Sequence, residues 1–294
     1  MKPIAQILLI FMVMIYSTNA RSQIQFGVFA DCQFCDCQTA GTRFYRNSPA
    51  KLNDCISEFN KNENLEFIVG LGDFIDRDFA SFATVNSVLN KSKNEVFHVV
   101  GNHDFSVEKD FFDKVPEQLK LTKTYYAFTK KDWHFIFLNG NEITFQSADP
   151  GIILQAKKLV DQLTAKNKPN NQKWNGGIGD KQIEWLDKQL QLAQQKNYKV
   201  AIFCHYPLLP LEIHALWNSG EILNLLNKYN CVKMWMNGHN HAGNYIVQNG
   251  IHFVTLKGMV ETENENAFSE ITLYNNKILI TGFGREENKV LPLN

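Results

Sequence analysis

Val96-Phe97-His98-Val99-Val100-Gly101-Asn102-His103-Asp104 decides the fold. Five mostly apolar, largely β-branched residues predict a strand, and the strand ends abruptly in a glycine followed by an amide, an imidazole and a carboxylate. The same arrangement recurs on both sides. Phe26-Gly27-Val28-Phe29-Ala30 ends in Asp31-Cys32-Gln33, and Phe67-Ile68-Val69-Gly70-Leu71 ends in Gly72-Asp73. Val200-Ala201-Ile202-Phe203-Cys204 ends in His205, and Met234-Trp235-Met236 leads to Gly238-His239-Asn240-His241. Polar groups delivered at the carboxyl ends of successive strands occupy the edge of an α/β sheet at which ligands bind. Glycines directly before Asp73, Asn102 and His239 let the backbone approach a ligand closely. Residues two apart in an extended chain share a face, so Asp31 with Gln33, and His239 with His241, can converge.

Between these strands the pattern switches to helical periodicity. Strands at 24–30, 67–71 and 96–100 alternate with helices at 49–60 and 79–89, which reads as βαβ units carrying a parallel sheet. A hairpin over 125–129 and 134–138 follows, then polar helices within 154–166 and 181–196. Strand, helix and strand return at 200–204, 222–229 and 232–236. From Tyr245 the alternation at 251–256, 271–273 and 278–281 predicts antiparallel strands. No internal repeat, low-complexity tract or Pro/Gly-rich linker interrupts the chain, so residues 21–294 are expected to form one α/β domain.

Asp, Asn, Gln and His donors without a cysteine among them suit a pair of hard or borderline divalent ions, whereas a structural zinc site favours thiolates. Any one of these residues taken alone reads equally well as a cap or turn residue. Their recurrence at five strand ends is what points to metal. Two divalent ions about 3.5–4 Å apart can hold a bridging hydroxide as nucleophile and stabilise an in-line displacement at phosphorus.

The composition limits the other partners. With 30 basic and 30 acidic residues among 294, there is no basic excess to attract nucleic acid or an anionic membrane. At the amino end, Lys2 precedes an unbroken apolar run from Ile7 to Tyr16 and then Ser17-Thr18-Asn19-Ala20. This is the pattern of a signal peptide cleaved near Ala20. Such a run spans about 15 Å as a helix, half of the roughly 30 Å bilayer core, which argues against a stable membrane anchor. Residues 1–20 are therefore expected to be a leader and the mature chain to be secreted or periplasmic. Six cysteines in that setting permit a disulfide or two, but their spacing assigns no pairing.

The ordered set Asp31-x-Gln33, Gly72-Asp73, Gly101-Asn102-His103-Asp104, His205 and Gly238-His239-x-His241 resembles the calcineurin-like metallophosphoesterases across essentially the whole mature chain. The resemblance implies a four-layer αββα sandwich with mixed sheets and a dinuclear site. It implies that Asp31, Gln33, Asp73 and His241 hold one ion and that Asp73, Asn102, His205 and His239 hold the other, with Asp73 bridging. His103, with Asp104 beside it, would be the catalytic group that assists departure of the leaving group; the competing reading makes His103 a hydrogen-bond partner that orients a ligand. His98, His134, His214 and His252 match no motif position and read as structural.

Gln33 stands where a His is usual in the superfamily. Its neutral amide oxygen should weaken that ion site and tilt it toward Mn²⁺ or Mg²⁺, with Fe and Zn²⁺ as the other candidates. Together with the stretches 42–48, 174–179 and Gly258-Met259-Val260-Glu261-Thr262, this looks like the manganese-dependent ADP-ribose/CDP-alcohol diphosphatases. That family implies a small-molecule phosphoanhydride substrate, and no protein partner is predicted. Arg43 and Arg46 are candidates to clamp the second phosphate, the alternative being that either is an exposed structural arginine. A phosphodiesterase or phosphomonoesterase of the same superfamily is the nearest competing function. A non-catalytic protein-binding scaffold is disfavoured because every ligand position carries a metal-competent side chain.

Overall fold

The computed structural model describes residues 24–293. The expected leader lies outside the described residues. The order is β1 (Ile24–Phe29), α1 (Ser48–Phe59), β2 (Phe67–Gly70), α2 (Ser81–Leu89), β3 (Val96–His98), α3 (Val115–Gln118), β4 (Tyr126–Lys130), β5 (Trp133–Phe137), α4 (Pro150–Ala165), α5 (Asp180–Gln195), β6 (Lys199–Phe203) and α6 (Ser219–Leu226). Then come β7 (Val232–Asn237), β8 (Ala242–Gln248), β9 (Ile251–Lys257), β10 (Ala267–Leu273), β11 (Lys277–Gly284) and β12 (Lys289–Pro292).

The strands form two mixed six-stranded sheets, ordered β12-β11-β10-β1-β2-β3 and β4-β5-β6-β7-β9-β8. In the first, β1, β2 and β3 run parallel and β10 to β12 complete the sheet in antiparallel pairings. In the second, β5, β6, β7 and β9 run parallel and β4 and β8 pair antiparallel at the two edges.

Strand alternation divides the apolar residues among three layers of contact. Phe26, Val28, Phe67 and Val69 of one sheet meet Phe135, Phe137, Phe203 and Met236 of the other. Phe26 stacks on Phe67 at 4.9 Å and sets its edge against Phe135 and Phe203 at 6.0 and 5.9 Å. Aromatic pairs of this kind add roughly 0.5–1.5 kcal/mol each to the burial term. Phe29 and Ile68 point the other way, onto Leu52, Ile56 and Phe59 of α1 and Phe82 and Val85 of α2. Ile136, Val200, Ile202 and Trp235 pack under Leu186 and Leu190 of α5 and Ile222 and Leu226 of α6. The result is the expected four-layer αββα sandwich.

The element limits differ from the sequence reading at helix starts such as α4 and α6 and at strands β3, β10 and β11. α4 begins at Pro150 because the Asp149 side chain accepts the Gly151 N–H, and proline suits a first helical turn. Cys35 and Cys37 are joined by a disulfide, while Cys32, Cys55 and Cys204 are free and buried. No helix among the described residues is long and apolar enough to cross a membrane.

Candidate metal centre

Because β1, β2 and β3 run parallel, as do β6 and β7, their carboxyl ends lie along one edge, and the polar residues that end them gather there. Asp31, Asp73 and His205 are fully buried, and Asn102 and His239 are nearly so. Ligand atoms of Asp73, His205 and His239 lie within 4.8 Å of one another. His205 Nε2 is 3.1 Å from Asp73 Oδ2 and 3.2 Å from Asn102 Oδ1. His241 Nε2 is 3.5 Å from Asp31 Oδ1, whose carboxylate also accepts the His239 backbone N–H at 3.1 Å. All seven sequence-expected ligands are thus brought together.

The backbone is distorted where it delivers these groups. Asp31, Gln33, Asp73 and His239 have φ of 54°, 46°, 55° and 67°, a left-handed conformation uncommon outside glycine. Such strain persists only where surrounding contacts over-determine it, and it concentrates at functional sites. Two glycines make room: a Cβ on Gly101 would lie 2.1 Å from Asp73 Oδ1, and one on Gly238 would lie 2.5 Å from Asp31 Oδ2.

Gln33 shows that these donors suit a cation. Its Nε2 donates to Asp73 Oδ2 at 3.1 Å and lies 3.2 Å from His241 Nε2. Its Oε1 is buried without a hydrogen-bond partner. The amide N–H therefore stands between a carboxylate and an imidazole where a cation would satisfy all three, and turning the amide over presents the orphaned oxygen to that point. Oxygen and imidazole donors held this way fit divalent ions.

Each site histidine has its outward-facing nitrogen tied down. His205 Nδ1–H donates to Leu71 O at 2.7 Å, His239 Nε2–H to Asn175 Oδ1 at 2.9 Å, and His241 Nδ1–H to Glu261 Oε1 at 2.7 Å. The tautomer and ring orientation of each are thereby fixed, with the other nitrogen turned inward. His103 Nδ1–H donates in the same way to Asp76 Oδ1 at 2.9 Å, and its backbone N–H donates to Asp73 Oδ1 at 2.8 Å. Asp76 also pairs with Arg77 at 3.1 Å.

The electrostatics follow from this packing. Burial works against charge on Asp73, yet the His205 and His103 charges hold its carboxyl well below the usual range. Burial likewise opposes a proton on His205, His241 and His103, but neighbouring carboxylates outweigh it. Asp73 raises His205 to about 9, Asp31 with Glu261 raises His241 to about 9, and Asp73 with Asp76 raises His103. His239 is pushed down by burial and by His205. A field that draws protons onto imidazoles draws divalent cations as well.

Asp104, expected beside His103, lies behind the site. Its Oδ2 accepts the N–H groups of Asp73 and Gly101 at 3.0 and 2.8 Å, and its Oδ1 accepts that of Phe74 at 2.7 Å. It therefore fixes the turn that carries Asp73. Burial first, and then the Asp73 charge, push its carboxyl up to about 7. Arg43 lies beside the centre, with Nε 3.8 Å from Glu261 Oε1. Arg46 is instead engaged on the surface, where Nε donates to Asp36 Oδ1 at 2.5 Å. Asp76, Asn175 and Glu261 escaped the sequence reading as individual site residues, although Asn175 and Glu261 lie inside stretches singled out there.

Residues 24–243 match the family model for the calcineurin-like phosphoesterases. The chain belongs to this family and is a metal-dependent hydrolase. Over 301 residues it is 31% identical to the manganese-dependent ADP-ribose/CDP-alcohol diphosphatase of Arabidopsis thaliana, covering 90% of this chain and 95% of that one. The protein of the same name from Homo sapiens is 26% identical, with 94% of each chain covered. A crystal structure of a dimetal phosphatase from Danio rerio superposes with a TM-score of 0.83 at 24% identity, covering 92% of this chain and 99% of that one, and so shares the fold.

Proposed function

We propose that this chain hydrolyses the phosphoanhydride bond of nucleoside diphosphate derivatives such as ADP-ribose and CDP-alcohols, using two Mn²⁺ ions. The observation that carries the reading is the Gln33 amide set between Asp73 and His241 with its oxygen unpartnered. A neutral oxygen donor at that place favours Mn²⁺ over nitrogen-preferring ions. The names of the relatives aligned along nearly the whole chain support the substrate class.

Asp31, Gln33, Asp73 and His241 would hold one ion, and Asp73, Asn102, His205 and His239 the other. When bound, the ions neutralise phosphoryl charge and lower the pKa of a water nucleophile. The protein's own part is positional. Asp104 fixes the Asp73 turn, while Asn175 and Glu261 lock His239 and His241. His103, with Nδ1 committed to Asp76, has Nε2 free to pass a proton to the departing phosphate oxygen. Such general-acid help contributes about 10²–10⁴-fold. Arg43 is placed to meet the second phosphate.

The test is metal-stripped protein reconstituted with Mn²⁺ and offered ADP-ribose, CDP-choline, a simple phosphodiester and p-nitrophenyl phosphate. Fastest turnover of the first two, giving AMP with ribose 5-phosphate and CMP with phosphocholine, is expected. Preference for the diester or the monoester would overturn the reading.

The same proposal places the protein outside the cytoplasm. The leader pattern from Lys2 to Ala20 and the Cys35–Cys37 disulfide support it. Amino-terminal sequencing of exported protein should begin near Arg21; recovery of the intact chain from the cytoplasm alone would contradict it.

A further inference from the structure

His214, in the loop between β6 and α6, belongs neither to the ligand set nor to the proton path at His103. Its ring meets that of His239 edge-on, with centroids 5.6 Å apart and planes at 84°. Its Nδ1 is buried and has no hydrogen-bond partner.

The loop does not place this ring by chance, because it is fastened on both sides of His239. Asn240, the next residue, donates its Nδ2–H to Glu212 Oε1 at 2.6 Å. Asn175 donates Nδ2–H to Ile213 O at 2.7 Å while its Oδ1 accepts from His239 Nε2. The imidazole is therefore held rigidly relative to a metal ligand. Besides Glu212 and His239, the charged groups near it are His241, Asp31 and Arg43. A ring nitrogen left unpaired beside a phosphate-processing centre is a hydrogen-bonding group open to a ligand.

We propose that His214 is a substrate contact: its ring N–H donates to the phosphoryl group adjacent to the one attacked, and so selects diphosphates over monophosphates. This rests on the diphosphatase reading above. A monophosphate ester has no group at that point and draws nothing from the contact.

The test compares wild type, His214→Ala and His214→Asn in saturating Mn²⁺, with KM and kcat measured on ADP-ribose and on p-nitrophenyl phosphate, and Mn²⁺ content measured for each protein. Loss of one hydrogen bond predicts a KM for ADP-ribose raised about tenfold in His214→Ala, with kcat much less affected. The loss on p-nitrophenyl phosphate should be several-fold smaller, and the Asn amide should restore most of the ADP-ribose affinity. Equal losses on both substrates with depleted Mn²⁺ would make His214 a prop for His239 and overturn the proposal. So would unchanged kinetics on ADP-ribose. If wild type itself leaves the ADP-ribose anhydride intact, it is the diphosphatase reading that fails.

Discussion

Glu261 accepts the Nδ1–H of His241 at 2.7 Å, joining a loop that precedes β10 to a ligand that follows β7. That hydrogen bond, more than any other contact, holds the Glu261 carboxyl down at about 2 despite partial burial. The loop is in turn pinned by Lys51, a buried cation whose Nζ donates to the carbonyls of Met259, Glu261 and Thr262. Glu261→Gln keeps the shape but exchanges a charged acceptor for a neutral one. Mn²⁺ affinity is expected to fall about 10–100-fold, the usual cost of losing such an outer partner. Metal titration of stripped protein checks this, and an unchanged affinity would separate Glu261 from the centre.

His103→Ala should depress kcat while Mn²⁺ content stays at the wild-type value, because its side chain donates to Asp76 and lies outside the proposed ligand set. The penalty should shrink on p-nitrophenyl esters, whose leaving group needs little protonation. Rates on good and poor leaving groups at matched Mn²⁺ decide it. Equal penalties would reduce His103 to a support for Asp73.

Gln33→His replaces an oxygen donor with a nitrogen donor at a fully buried position. Activity should broaden from Mn²⁺ toward Co²⁺ and Zn²⁺, which favour imidazole more strongly. Profiles measured at matched free metal concentrations should differ between the two proteins. Superimposable profiles would remove Gln33 from the ligand set.

The gathering of these residues was legible in the sequence because each follows a strand, and a parallel sheet puts strand ends on one edge without further information. Their supporting partners were not. Asp76 follows Asp73 by three residues, but only the fold turns it onto His103. Asn175 and Glu261 reach His239 and His241 from sequence separations of 64 and 20. Asp104 is adjacent to His103, yet the strained turn at Asp73 takes its carboxylate for backbone N–H groups. Arg46 is three residues from Arg43, but a local carboxylate, Asp36, captures it. Adjacency in sequence says little once a loop leaves regular structure.

His98 is buried at the end of β3, with Phe74 edge-on at 4.9 Å and Nδ1 unpartnered. Burial, aided by Lys120, lowers its folded-state value to about 3 from 6.5. The unfolded chain therefore takes up a proton before the native one does. The stability this neutral ring contributes is complete above pH 6.5 and is lost as pH falls toward 3, by at most about 1.4 kcal/mol per pH unit. Denaturant midpoints at pH 7, 6 and 5 should fall more steeply for wild type than for His98→Phe in the same Mn²⁺ buffer. Parallel declines would show that His98 is protonated in the native state.

Asp73 is the fully buried carboxylate proposed to serve both ions. Chelator-stripped protein titrated with Mn²⁺ while ADP-ribose cleavage is followed should regain activity along a curve that levels off at two equivalents per chain, and Asp73→Asn should neither bind the second equivalent nor turn over. A plateau at one equivalent, or full activity in the stripped protein, would contradict the dinuclear centre.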